Sequence, residues 1–215
     1  MAESITSLAR RPAASLLAEA SGERLPSYVT REQARAVINA ASTQTHRLLL
    51  ECLWQSGGRI SEVLRLRPCD LDEREGALVL ENRKQKRGSH RKRVSVSTDL
   101  VAQLQVLARD ARIGYRSCFF RSAKSGQQPM SSVHAWRIVT ACSRRAGVQI
   151  EGADGVLRPA NARDFRHGAA VNQVQQGIPL SEVQQQLGHA RIDSTTIYTK
   201  LANPERRRLA DRVTW

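Results

Sequence analysis

Apolar and polar residues recur at helical spacing from Thr30 onward. Thr30 and Gln33 form a capping box, and the apolar residues that follow lie on one predicted helix face, at Ala34, Val37, Ile38 and Ala41. The next apolar segment, "HRLLLECLWQSGG", predicts a buried helix that ends at the glycine pair 57–58. After it, "RISEVLRLR" predicts a short helix that stops before Pro68, so Arg59 lies at a helix junction.

Two segments with strand composition follow, "ALVLEN" and "RVSVS", and the link between them holds a glycine for the turn. Beyond them, Thr98 is expected to cap a helix, and the same helical pattern begins again at Ser131. A loop with glycine and proline around residues 152–159 leads to three further helical segments, "ARDFRHGAAVNQVQQG", "LSEVQQQLG" and "DSTTIYTKLA". The pattern predicts a mainly α fold with a small antiparallel β-sheet (α+β).

The charge balance of the 215-residue chain indicates the kind of partner that it binds. It holds 34 Lys and Arg against 20 Asp and Glu, a formal charge of +14, which favours nucleic acid over an anionic membrane as the partner. No apolar run approaches the roughly 18 residues that a spanning helix needs, and the N-terminus lacks a signal peptide's apolar stretch. We therefore expect a cytoplasmic protein, associated with the nucleoid through DNA and without a membrane partner, in which residues 1–27 form a mobile arm.

The link between the two predicted strands, "RKQKRGSHRKR", is strongly basic: seven of its eleven residues are Lys or Arg. Like charges at this density repel one another unless an anion neutralises them, so DNA phosphate is favoured over a merely solvated turn. The residues expected to contact DNA are Arg83, Lys86, Arg87, Arg91, Lys92 and Arg93.

The cysteines exclude two common frameworks. The chain has four, widely spaced and without a Cys-x-x-Cys pair, so neither a zinc site nor a disulfide set is predicted. Buried free thiols are expected.

The segment "LGHARIDSTTIYTK" places Tyr198 at the end of a short stretch rich in hydroxyl groups. A tyrosine hydroxyl is almost wholly protonated at neutral pH, and it attacks phosphorus only where cations stabilise the transition state. Guanidinium groups bind the non-bridging oxygens of a phosphodiester better than ammonium groups do, and a lysine on a flexible hairpin can protonate the leaving 5′ oxygen without a metal ion. The chain supplies each of these residue types.

Four motifs occur in order along the chain: "SGGRISEV", the Lys-rich hairpin, "RDFRHGAA" and "LGHARIDSTTIYT". Together they resemble the catalytic domain of tyrosine recombinases, also called phage-type integrases. The resemblance covers residues 30–203 and implies a mixed, mainly helical catalytic domain at residues 28–203. Such a domain cuts duplex DNA, forms a 3′-phosphotyrosyl link and passes the strand to a 5′ hydroxyl without metal or ATP. The resemblance also implies a synaptic tetramer on DNA and allows an accessory DNA-binding protein.

The resemblance implies a role for each matching residue. Tyr198 is the expected nucleophile, and Arg59 and Arg166 are the expected phosphate-clamping arginines. His189 is expected to form a hydrogen bond to the scissile phosphate, and Glu62, one helical turn after Arg59, to orient that arginine. Taken singly, the two arginines, His189 and Tyr198 are more simply explained as surface or core residues, but their order and joint spacing favour a catalytic site.

The general acid of the family is a hairpin lysine, and Lys84, Lys86 and Lys92 all lie in or beside the predicted turn. Lys84 is favoured, because it ends the strand "GALVLENRK" at the distance from Gly76 where relatives carry this lysine. Lys86 is the substitute.

The chain departs from the family pattern at two places. Arg163 stands where a histidine usually begins the second motif; it cannot act as a base, but it can bind phosphate and stays a catalytic candidate. Most relatives also have a separate helical domain ahead of the catalytic one, and residues 1–27 are too few to form it. The chain is therefore similar in size to the single-domain fimbrial-switch invertases.

The tail, residues 204–215, has an apolar helical stripe and is expected to dock on a neighbouring protomer or to fold back on its own domain.

Three classes of function fit these patterns, and the site-specific recombinase is favoured. A DNA-binding regulator with the same fold and little cleavage activity is kept open by Arg163 and by the missing clamp domain. A relaxing enzyme similar to type IB topoisomerases shares the chemistry but needs no synapsis.

Overall fold

The computed structural model describes residues 26–82, 90–122, 126, 128–152 and 154–188. Several sequence-based expectations lie outside these residues: nearly all of the N-terminal arm, the turn of the basic hairpin, the predicted helix "DSTTIYTKLA" and the tail.

Helices make up most of the described residues. They are α1 (Arg31–Asn39), α2 (Gln44–Ser56), α3 (Ile60–Val63), α4 (Thr98–Asp110), α5 (Ser132–Arg145), α6 (Ala162–Gln175) and α7 (Leu180–Leu187), and a 3₁₀ turn spans Pro68–Asp70. The predicted capping box is present at Thr30, whose hydroxyl accepts from the backbone N–H of Gln33. Gly57 ends α2 in the left-handed conformation, with φ of 57°.

The strands form two small antiparallel sheets. The first has the order β1 (Leu71–Asp72), β2 (Ala77–Asn82), β3 (His90–Ser95), and the second pairs β4 (Gln149–Glu151) with β5 (Leu157–Pro159). The predicted fold class, mainly α with a small antiparallel β-sheet, is confirmed. No helix in the described part of the chain is long and apolar enough to cross a bilayer.

The structure corrects three local predictions. The strand predicted at 93–97 is β3, which begins at His90 because its backbone pairs with β2 as far as Asn82. Thr98 was the wrong cap for α4: the hydroxyl of Ser97 accepts from the backbone N–H of Leu100, 3.2 Å away. The loop predicted at 152–159 contains β5, because strands of three residues leave no visible alternation in the sequence.

The core forms around α2, which packs against α1, α4 and α6. The rings of Trp54 on α2 and Phe165 on α6 meet edge to face, with centroids 6.3 Å apart. A side chain at Gly57 would come within 2.9 Å of Leu187, and one at Gly58 within 2.7 Å of Leu80. The glycine pair therefore lets α7 and β2 approach the point where α3 begins.

The chain ahead of α1 is attached to the start of α6. The Ser27 hydroxyl donates to Asp164 Oδ1 over 2.8 Å, and the Val29 N–H donates to the Asp164 carbonyl over 3.3 Å. A side chain at Gly168, one turn further along α6, would collide with the carbonyl of Val29. These contacts fix the position of the helix that carries Arg163 and Arg166.

Candidate active site

Arg166 is buried and joins the carboxyl ends of two helices. Its Nη1 donates to the carbonyl of Gly57 at the end of α2, over 2.8 Å, and its Nη2 donates to the carbonyl of Leu187 at the end of α7, over 2.9 Å. Carbonyls in the last turn of a helix have no partner within it and carry the negative end of the helix dipole. The guanidinium of Arg166 satisfies both and fixes α2 and α7 relative to α6.

Arg59 stands at the N-cap of α3 and is held by Glu62, the contact expected from the sequence. Glu62 Oε2 accepts from the backbone N–H of Arg59 over 3.0 Å, and Glu62 Oε1 accepts from Arg59 Nη1 over 2.8 Å. The carboxylate of Glu62 is buried, whereas the Arg59 side chain is partly exposed. Glu62 therefore fixes the orientation of a guanidinium that remains in contact with solvent.

Lys92 reaches the same carboxylate from β3. Its Nζ lies 3.0 Å from Glu62 Oε2, and it donates to the carbonyls of Gln186 over 3.0 Å and Leu187 over 3.2 Å. The Lys92 side chain is 14% exposed. Its ammonium is directed at the protein interior, and the contact between Lys92 and DNA expected from the sequence stays a prediction.

Arg59, Glu62, Lys92 and Arg166, which we call the cationic cluster, contain three cations and one carboxylate. Burial acts to raise the pKa of Glu62, but the charge of Lys92 and the hydrogen bonds from Arg59 outweigh it, so that this pKa lies below its usual value. Burial lowers the pKa of Lys92, and the nearby charges of Arg166 and Arg59 lower it further against the opposing effect of Glu62. An excess of positive charge in a partly buried site is suited to an anion such as phosphate.

Arg163 and His167 lie on α6 beside the cationic cluster. Arg163 is exposed, one helical turn before Arg166, and His167 is mostly buried. Burial lowers the pKa of His167 to about 4, and the charges of Arg163 and Arg166 add to this effect, while Asp164 opposes it. The imidazole is therefore neutral at neutral pH.

Arg91 and Arg93 lie on the opposite face of β3 from Lys92, as the two-residue period of a strand requires. Arg91 Nη2 is 2.6 Å from Asp70 Oδ1, and Arg93 Nη2 is 2.7 Å from Asp72 Oδ2. Their side chains are 53% and 51% exposed. The structure thus separates Lys92 from its two basic neighbours, which remain on the surface.

The structure brings together Arg59, Glu62 and Arg166, and it places Arg163 one turn away. The other predicted site residues lie outside the described part of the chain: Arg83, Lys84, Lys86, Arg87, His189 and Tyr198. The place of Lys92 in the cationic cluster was missed. Val94, two residues further on, is apolar and buried, and extending the predicted strand back to Lys92 would have put both on the inner face.

The four cysteines are free: Cys52 and Cys142 are buried, as expected, and Cys69 and Cys118 are partly exposed. Among the described residues no group of His, Cys, Asp or Glu is arranged to hold a metal ion.

Residues 27–205 match the phage integrase family, so the chain belongs to this family, and the resemblance found in the motifs is confirmed. The tyrosine recombinase XerA of Pyrococcus furiosus is 23% identical over 191 residues, which cover 88% of this chain and 62% of the relative. A crystal structure of XerA recombinase has a TM-score of 0.71 at 22% identity, covering 96% of this chain and 67% of that one. A post-cleavage complex of XerH site-specific recombinase bound to palindromic difH substrate has a TM-score of 0.68 at 19% identity, covering 87% and 53%. The chain spans less than two thirds of the length of the Xer relatives that it matches.

Proposed function

We propose that this protein is a site-specific DNA recombinase that cleaves and rejoins duplex DNA through a 3′-phosphotyrosyl intermediate. The observation that carries the proposal is the convergence of Arg59 and Arg166, more than a hundred residues apart in the chain, on one cluster with excess positive charge. Membership of the phage integrase family supports it.

The two guanidinium groups supply the electrostatic part of the reaction. Displacement at a phosphodiester concentrates negative charge on the two non-bridging oxygens, which guanidinium groups bind in bidentate fashion. Arg166 is fixed by two helix ends and Arg59 by Glu62 before any substrate arrives. Donors held in place in this way stabilise a transition state without the cost of reorganisation.

The remaining roles are assigned from the sequence. Tyr198 attacks phosphorus and becomes attached to the 3′ end, and His189 donates a hydrogen bond to the same phosphate. Lys84, or Lys86 in its place, protonates the leaving 5′ oxygen. Arg163 adds positive charge beside the phosphate, and because arginine keeps its proton, another group accepts the proton of the tyrosine. No metal ion and no ATP take part in these steps.

Double-stranded DNA is the proposed partner, and a synaptic tetramer on DNA is the proposed assembly, in the cytoplasm. The guanidinium groups of Arg91 and Arg93 are half-exposed, and they contact DNA by exchanging their pairs with Asp70 and Asp72 for phosphates. Together with the basic hairpin they are suited to neutralise the phosphates of a duplex, and binding should weaken steeply as salt is raised.

The decisive experiment is covalent trapping. Nicked duplexes with a randomised core are incubated with the full chain in EDTA, adducts are recovered under denaturing conditions, and their junctions are sequenced to obtain one cleavable site. On that site the wild-type protein should become attached to a DNA 3′ end, because protein cations do the work of a metal. Tyr198→Phe should remove the adduct and leave the affinity for DNA unchanged.

Tyr115→Phe is the matched control, because Tyr115 is an exposed tyrosine placed in no part of the site. Its adduct should form at the parental rate. An adduct that persists in Tyr198→Phe, or a requirement for magnesium, would refute the proposed mechanism.

The same assay separates the other two classes. A chain that binds the selected site tightly without forming any adduct is a DNA-binding regulator. A chain that forms the adduct and relaxes supercoiled plasmid, but exchanges no strands between two sites, is a relaxing enzyme.

A further inference from the structure

We propose that Lys92 is a positioning residue of the cationic cluster: it holds Glu62 and the carboxyl end of α7 in place and thereby sets the relation between Arg59 and Arg166. This inference rests on the proposed function. It assigns Lys92 a role other than DNA contact or proton donation.

The contacts of the cluster form a closed ring. Glu62 accepts from both Arg59 and Lys92, and the carbonyl of Leu187 accepts from both Lys92 and Arg166. Arg166 then returns to the carbonyl of Gly57, two residues before Arg59. Lys92 is the side-chain link between the half of the ring that holds Arg59 and the half that holds Arg166, and the backbone from Gly57 to Arg59 is the other link.

The hydrogen bonds of Lys92 argue against a role as the general acid. A lysine ammonium has three N–H donors, and the three partners of Lys92 are Glu62 and the carbonyls of Gln186 and Leu187. A general acid must come within hydrogen-bonding distance of the oxygen that it protonates. Lys92 is mostly buried with its donors on protein oxygens, so proton donation remains with a lysine of the hairpin turn.

The contacts also indicate what the loss of Lys92 would do. Without its ammonium, Arg59 still pairs with Glu62, and Arg166 still donates to Gly57 and Leu187. The carbonyl of Gln186 loses its donor, Glu62 loses one of its cations, and the two halves of the ring remain joined only through the backbone between Gly57 and Arg59. We therefore expect a variant that still folds but holds Arg59 and Arg166 less firmly. Supporting contacts of this kind set the geometry of a site and are not needed for it to form.

The test uses single-turnover cleavage at saturating DNA on the trapped site, with the dissociation constant and melting temperature of each variant. Lys92→Ala should lower the cleavage rate by about 10²-fold, as lost supporting contacts do, and should leave the dissociation constant within about threefold of the parental value. Lys92→Arg should recover most of the rate, because a guanidinium can still donate to a carboxylate and to carbonyls.

Two further variants complete the series. Lys92→Met keeps the apolar stem and tests the ammonium alone if Lys92→Ala is poorly folded. Arg47→Ala is the control. It removes a surface cation that pairs with Glu51 and has no part in the cluster, so the cleavage rate should be unchanged.

A substrate with sulfur in place of the leaving 5′ oxygen separates positioning from proton donation. A thiolate leaves without a proton, so this substrate should restore cleavage to a variant that lacks the general acid, the expected result for Lys84→Ala or Lys86→Ala. It should not restore Lys92→Ala. Restoration of Lys92→Ala would make Lys92 the acid and overturn the inference.

The remaining outcomes are distinct. Parental cleavage by Lys92→Ala, or unfolding of both Lys92→Ala and Lys92→Met, would overturn the positioning role while the recombinase proposal stands. A wild-type protein that forms no adduct would instead overturn the proposed function, and the inference with it.

Discussion

Two polar networks hold α6, and they differ in their balance of charge. At the start of the helix, the buried carboxylate of Asp164 accepts two hydrogen bonds from Arg158, over 2.7 and 2.9 Å. The hydroxyl of Ser27 and the backbone N–H of Asn161 also donate to it. Two residues further along, Arg166 belongs to the cationic cluster, where three cations share one carboxylate.

The difference in charge balance separates a network that stabilises the fold from one suited to bind a ligand. One cation and one carboxylate satisfy each other, so the Asp164 network stabilises the fold and offers little charge to a ligand. The cationic cluster keeps positive charge that its single carboxylate does not neutralise, a cost to stability that is characteristic of functional sites. We therefore expect damage to the first network to appear as lost stability and damage to the second as lost cleavage.

The largest expected effect is that of Arg166→Ala. The substitution removes the arginine proposed to stabilise the transition state, and single-turnover cleavage should fall by about 10³- to 10⁵-fold. Arg166→Lys should recover little, because an ammonium cannot donate to both helix ends and to phosphate in the same planar geometry. Cleavage by Arg166→Ala within about tenfold of the parental rate would show that the excess charge is not used for catalysis.

The next effect is that of Asp164→Ala on stability. Removal of this carboxylate leaves Arg158 and the N-terminus of α6 without their acceptor, and urea unfolding should show a loss of about 3 kcal/mol. The folded fraction should still cleave DNA within about threefold of the parental rate. Asp110→Ala, an exposed carboxylate at the end of α4, is the control and should change stability by less than about 0.5 kcal/mol. A large loss of cleavage in folded Asp164→Ala would erase the distinction between the two networks.

The smallest effect concerns His167, which adjoins both networks. Its pKa is lowered from 6.5 to about 4, so between these values the unfolded chain binds more protons than the native protein. The contribution of the neutral imidazole to stability is present above the ordinary pKa and is lost as the pH falls toward the lowered one. Urea unfolding near pH 7 and near pH 5 should show that the parental protein loses about 2 kcal/mol more than His167→Gln. An equal loss in both proteins would mean that the imidazole titrates normally in the native state.

The sequence predicted what depends on local pattern. The capping box at Thr30 and the glycine end of α2 follow from residues close together in the chain. The pairing of Arg59 with Glu62 was expected from the family resemblance and also joins residues close together in the chain. The role expected of Arg166 came from its motif, since nothing near position 166 shows that the guanidinium reaches Gly57 and Leu187.

The features that the sequence analysis missed have separate physical causes. In β3 three basic residues follow one another, so the inward Lys92 cannot be told from the outward Arg91 and Arg93 by polarity. At α4 both Ser97 and Thr98 can cap a helix, and the backbone alone decides between them. Strand β5 is too short to show any period.

The contacts of the cationic cluster also bear on when the cluster can form during synthesis and folding of the chain. Arg166 and Gly57 are 109 residues apart in the chain, and Lys92 and Leu187 are 95 apart. Contacts at such separations require the closure of a long loop, which costs chain entropy, so we expect them to form late in folding. On the ribosome, a nascent chain exposes its basic hairpin well before residues 166 and 187 have been synthesised. Under the proposed function, each new molecule carries the charge that attracts DNA before its cationic cluster is assembled.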